Sequence, residues 1–178
     1  MTLIEFKTYL FHSSIERHKE IKNQLLDLFK TNKESLYDRE KGQNDNIHSL
    51  DWNNSKNTSR KWVQLFYPIL QKKLNEMIEP SGLSKCTIYD VWFQQYKKND
   101  HHVWHTHADC NYTNVYYLEV DSGATEVKDP FTHKTLKMKV KEGTILSMPG
   151  FLLHRSPKFK KNITKSIIAF NTSFHTDV

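Results

Sequence analysis

Apolar residues recur with two different periods in the two halves of the chain. Over residues 13–29 the positions Ile15, Ile21, Leu25, Leu28 and Phe29 follow helical spacing, and Leu26 widens the stripe. Ser13, with Glu16 three residues later, has the pattern of a capping box and predicts the start of that helix. Residues 61–78 repeat the pattern through Trp62, Phe66, Ile69, Leu70, Leu74, Met77 and Ile78. Pro68 lies inside this second helix. It removes a backbone donor, so a kink or a later start is expected there. The apolar residues 1–12 read as an edge strand. Residues 31–60 are polar, with Ile47 and Trp52 as docking points, and read either as a lid or as a mobile connection.

From residue 84 the period shortens to two. Short β-rich runs are expected at 86–96, 103–107, 113–120, 125–128, 135–140, 144–148, 151–155 and 164–174, broken by turns such as Glu142-Gly143. Such spacing predicts a sandwich or jelly roll. One domain over residues 1–178 is expected. Residues 1–83 would supply helical support and a polar loop, and residues 84–178 the mainly β core.

Composition narrows the class. The chain has 178 residues, 37% of them hydrophobic, and no apolar run approaches the roughly 18 residues of a membrane span. The first residues lack the apolar core of a signal peptide, so a cytoplasmic location is expected. Cys86 and Cys110 are too few for a disulfide framework. The net charge is +6, which suits an acidic partner. The densest basic cluster is Lys158, Lys160 and Lys161 beside Arg155. It reads as a solvated loop, so nucleic acid is only weakly supported as a partner. There are no internal repeats, and no Gly-rich phosphate loop, CxxC pair or nucleophile elbow.

The candidate chemistry lies in residues 103–118. His105, His107 and Asp109 alternate with Thr106 and Ala108, and alternate side chains of an extended strand share a face. Imidazole and carboxylate suit a divalent first-row metal such as iron, and His154 can complete the set. Two ligand sets remain open: His105, His107 and His154, or His107, Asp109 and His154. In the last strand Lys165, Ile167, Ala169 and Asn171 share one face, and Ser166, Ile168 and Phe170 the other. An inward ammonium is costly unless it meets an anion or snorkels to water. His101 and His102 lie near a turn and are expected to be exposed. Trp92, Phe93 and Trp104 read as core or sheet-face aromatics, and Arg155 as a surface residue.

The ordered set His105-x-His107, Thr113-Asn-Val-Tyr-Tyr-Leu118, Glu142-Gly-Thr-Ile-Leu-Ser-Met-Pro149, Leu153-His154 and Lys165-Ser-Ile-Ile-Ala-Phe-Asn171 resembles the 2-oxoglutarate- and Fe(II)-dependent oxygenases over about residues 88–174. It is most similar to small members of bacteria and tailed phages related to the prolyl hydroxylases. The resemblance implies a double-stranded β-helix with Fe(II) held by His105, His107 and His154, and Asp109 as the alternative carboxylate. It implies 2-oxoglutarate at Tyr117 and Lys165, with Asn171 closing the cofactor-binding motif. It further implies dioxygen and a small-molecule or peptide substrate, and the host cytoplasm if the chain is phage-encoded. Lys165 departs from the usual arginine and lacks its bidentate fork. A cupin-like metal protein and a non-enzymatic β-sandwich binding module are the rival expectations.

Overall fold

The computed structural model describes residues 8–31, 37–38, 45–83, 85–121, 125–158, 160, 162 and 164–175. The strands are β1 (Phe11–Ser14), β2 (Tyr37–Asp38), β3 (Ser49–Leu50), β4 (Lys85–Tyr96), β5 (His102–His105), β6 (Tyr112–Glu119), β7 (Glu126–Lys128), β8 (Thr135–Lys137), β9 (Thr144–Pro149), β10 (His154–Ser156) and β11 (Lys165–His175). The helices are α1 (His18–Thr31) and α2 (Lys61–Ile78). A 7-stranded sheet in the order β1-β9-β6-β11-β4-β3-β2 faces a 4-stranded sheet in the order β5-β10-β7-β8. All recorded pairings are antiparallel.

The period-two alternation divides the larger sheet between two cores. Val91, Phe93, Tyr116, Ile145, Ile168 and Phe170 face outward and pack on the apolar stripes of α1 and α2. Phe29 stacks on Phe93 at 3.9 Å between ring centroids, and Phe66 meets Tyr116 at 4.7 Å. The opposite face sends Trp92, Tyr96, Val115, Tyr117, Ile167 and Ala169 between the sheets. The two expected faces of β11 are found as read. This strand is paired on both sides, with Lys165 opposite Tyr96 and Asn171 opposite both Asp90 and Thr113.

Four expectations are corrected. The expected strand over residues 1–12 falls largely on residues 1–7, outside the described residues. The strand observed is Phe11–Ser14, paired with β9. That pairing holds Ser13 in extended backbone, so it cannot cap α1. The helix instead starts at His18, after Arg17 takes a left-handed conformation with φ 56°. Pro68 does not interrupt α2, which runs unbroken from Lys61 to Ile78. The run at 135–140 is a strand only to Lys137, and its residues are exposed.

Candidate metal centre

The short strands β5 and β10 place the imidazoles. His105 pairs with His154, whereas Ser156 pairs with His102, so β5 carries one extra residue. Such a bulge re-aims side chains. It brings His102 onto the side of His105, where the rings stack at 3.8 Å. The expectation that His102 is exposed is therefore corrected. Its side chain is 22% exposed and lies 3.5 Å from Asp45, and burial, followed by His105, pushes its pKa down to about 2.

β5 ends at His105, and His107 is placed by the next turn of chain. Its N–H donates to the Gly150 carbonyl at 2.8 Å, and the Gly150 N–H donates to Asn111 O at 3.0 Å. A Cβ at residue 150 would lie 2.7 Å from Cys110 O and 2.9 Å from His107 O. Only glycine permits that approach. His105, His107 and His154 consequently offer ring nitrogens that all lie within 4.8 Å of one another. Asp109 does not join this group. The chain bends at residues 108–109, so the alternation that would have aimed Asp109 inward has stopped. Its side chain is exposed, and its backbone oxygen accepts from the Tyr89 hydroxyl.

The hydrogen bonds fix which nitrogen is free. His105 Nδ1 lies 2.8 Å from Val103 O, and His154 Nδ1 lies 2.8 Å from Leu152 O. A carbonyl only accepts, so each Nδ1 carries the proton and each Nε2 keeps its lone pair. Outer partners of this kind orient metal-binding imidazoles. On His107 the neighbour is the Asn171 amide, which raises its pKa against the larger effect of burial. Asn171 Oδ1 is itself buried without a partner in hydrogen-bond range. Burial, with His105 next, holds His107 down to about 4 and His154 to about 3; burial also lowers His105. All three rings are neutral at pH 7, as metal binding requires. Three neutral imidazoles fit a divalent first-row ion.

Behind the histidines lies a small chamber of about 30 Å³, room for about one water molecule. Lys165 ends in it, at 1% exposure. Its Nζ donates to Ser156 Oγ at 3.1 Å and lies 5.1 and 5.7 Å from the ring centroids of Tyr96 and Tyr117. Burial pushes its pKa down to about 7. The Tyr117 and Thr125 hydroxyls meet at 2.6 Å. In front of the histidines lies an open cleft of about 960 Å³. One wall is residues 51–57, pinned by Asp51, which takes the Phe93 N–H at 2.5 Å and the Arg60 guanidinium at 2.5 Å. Ser55 O also accepts the Val91 N–H at 3.0 Å. These bonds tie residues 51–57 to β4, whereas residues 32–36 and 39–44 of the expected lid or mobile connection lie outside the described residues. Trp92 lines the cleft, so it is more than the core aromatic its strand pattern suggests.

No family model and no curated protein matches the chain. Solved structures do. A Pseudomonas putida prolyl-4-hydroxylase is 11% identical, with a TM-score of 0.66, covering 94% of this chain and 92% of the other. The viral collagen prolyl hydroxylase of Paramecium bursaria Chlorella virus-1 is 16% identical, with a TM-score of 0.61 and coverage of 96% and 97%. The α-ketoglutarate-dependent epimerase SnoN from nogalamycin biosynthesis is 10% identical, with a TM-score of 0.66 and coverage of 92% and 75%. The chain has the double-stranded β-helix fold of these oxygenases. At such identities the likeness carries the fold alone, since one fold hosts many reactions. A phage source is not supported by these neighbours, although one is viral. No described helix is long and apolar enough to cross a membrane.

Within this β-helix the three histidines stand between the chamber and the cleft. Sequence alternation pointed to His105 and His107, and the resemblance supplied His154. Alternation missed His102, because a bulge is a one-residue shift that no period reveals. It also missed Asp90, which faces the cleft from β4.

Proposed function

We propose that the chain is an Fe(II)- and 2-oxoglutarate-dependent oxygenase, most simply a hydroxylase of a small molecule or peptide that enters by the front cleft. The observation that carries this reading is that a buried lysine, Lys165, lines the same small chamber as the imidazoles of His105, His107 and His154. His105, His107 and His154 would hold the iron through Nε2 of the first and last and a ring nitrogen of His107. When bound, iron supplies the redox chemistry by which dioxygen converts 2-oxoglutarate to succinate and carbon dioxide and oxidises the substrate. The protein's own groups bind and orient. Lys165 meets the distal carboxylate as a point charge, and the Ser156 and Tyr117 hydroxyls donate to it. Tyr117 stays a neutral donor, because burial raises its pKa to about 12. Ile167, Ala169 and Val115 keep water from that end. The chamber holds about one water as it stands, so the Lys165 side chain and its neighbours must shift to admit a five-carbon diacid.

Anaerobic titration of the protein with Fe(II) and then 2-oxoglutarate tests the reading. A weak visible absorption band of a metal-bound 2-oxo acid is expected, followed by succinate release in air. Stoichiometric iron without that band would sink the oxygenase and favour a cupin-like metal protein. No iron uptake at all would favour a binding module.

A further inference from the structure

Asp90 is a buried carboxylate that the oxygenase reading does not use. It is 8% exposed, lines the front cleft, and accepts from Ser55 Oγ at 3.2 Å. None of the ion pairs found among the described residues includes Asp90. Buried carboxylates are almost always paired, because a neutral hydroxyl does not repay the loss of water. The rest of the cleft has the same sign. Asp109 stands at its rim, and Lys56 is the one lysine or arginine among its lining residues, in a chain of net charge +6. Beside Asp90, Trp52 is 41% exposed and stands edge-on to Trp92 at 4.5 Å. Such an aromatic wall favours a cation over its faces. Trp92 Nε1 is buried with no hydrogen-bond partner among the described residues. A carboxylate without an ion pair and an aromatic wall meet beside His107.

We propose that the front cleft binds an organic cation, the ammonium or guanidinium of a basic amino acid, with Asp90 as counter-ion and the Trp52–Trp92 pair as its aromatic support. The claim deepens the oxygenase reading by naming its substrate class, and the test separates the two. Anaerobic protein loaded with Fe(II) and 2-oxoglutarate is titrated with L-lysine, L-arginine and Nα-acetyl-L-lysine amide, against L-norleucine, L-glutamine and L-glutamate. Binding is read by tryptophan fluorescence and by the shift of the visible band. At least one cation is expected to bind tenfold or more tightly than its neutral counterpart, and added salt should weaken it. The capped amide wins if the natural source is a peptide, and the free amino acids win if it is a metabolite. Asp90→Asn should abolish the preference, and Trp52→Ala, at an exposed position, should weaken binding several-fold. Equal or tighter binding of the neutral or acidic compounds overturns the proposal, and this holds even if the Asp90 variant fails to fold. A loss of iron from Asp90→Asn with the cation preference intact also overturns it, since Asp90 would then act on the metal. If cations quench fluorescence but the 2-oxo acid band never forms, the oxygenase reading fails and the cation site stands.

Discussion

The two sides of the histidine group are built on opposite principles. The chamber behind it is small, walled largely by the central strands β4, β6 and β11, and has a single lysine in its lining. The cleft in front is some thirty times larger by volume, about 960 against 30 Å³, and is walled partly by residues 51–57. The strands of the chamber are hydrogen-bonded on both edges, so the backbone there is held in register. The wall of the cleft is a segment held by Asp51 and Arg60, and it presents Trp52, Ser55 and Lys56 to the cleft. A fixed cosubstrate belongs in the first kind of space and a particular substrate in the second.

Breaking the boundary between them should have the largest effect. His107→Ala and His154→Ala each remove a proposed ligand, and iron affinity should fall by more than the roughly 10–100-fold seen for outer partners of such ligands. Metal content after equilibrium dialysis is the check, and unchanged content would remove the metal centre. Next comes the chamber. Lys165→Met removes a charge-assisted hydrogen bond worth about 1.5–3 kcal/mol, or roughly 10–100-fold in 2-oxoglutarate affinity. The same change deletes a buried charge, so the thermal midpoint should hold or rise. Cation binding in the cleft should not respond.

A smaller effect follows from pH. Burial brings Lys165 down to about 7 from an ordinary value of 10.5. Only the protonated form attracts a carboxylate. Below about 7 the cation is already present, whereas above it each pH unit should weaken 2-oxoglutarate binding by up to about tenfold, until the higher pKa that the bound carboxylate gives this lysine is passed. Titrations from pH 6 to 9 test this, and a flat profile would mean that Lys165 is not the anchor. The smallest effect belongs to Asp109. Its exposed side chain is outside the histidine group, so Asp109→Asn should change iron affinity by less than about twofold. A large loss would restore the two-histidine, one-carboxylate set.

Much of this was legible in the chain. The helices were visible in the spacing of Trp62, Phe66, Leu70 and Leu74, because one face of each must be buried. The inward set Lys165, Ile167, Ala169 and Asn171 was visible because a strand alternates faces over its whole length. The failures have local causes. The Ser13 cap was lost to strand pairing, the exposure of His102 to a bulge, and Asp109 to a bend that ended the alternation. In each case the local pattern was sound, but a backbone partner far along the chain decided the conformation.

The amino-acid sequence by itself determined which residues are apolar at which period, and hence the helices, most of the strands and the face of β11 on which Lys165 lies. Tertiary structure alone decided that this face meets the histidines. The pairing of β5 with β10, the close approach at Gly150 and the docking of residues 51–57 join positions tens of residues apart. Periodicity records the local direction of a side chain, whereas the identity of its neighbours depends on how the sheets pack.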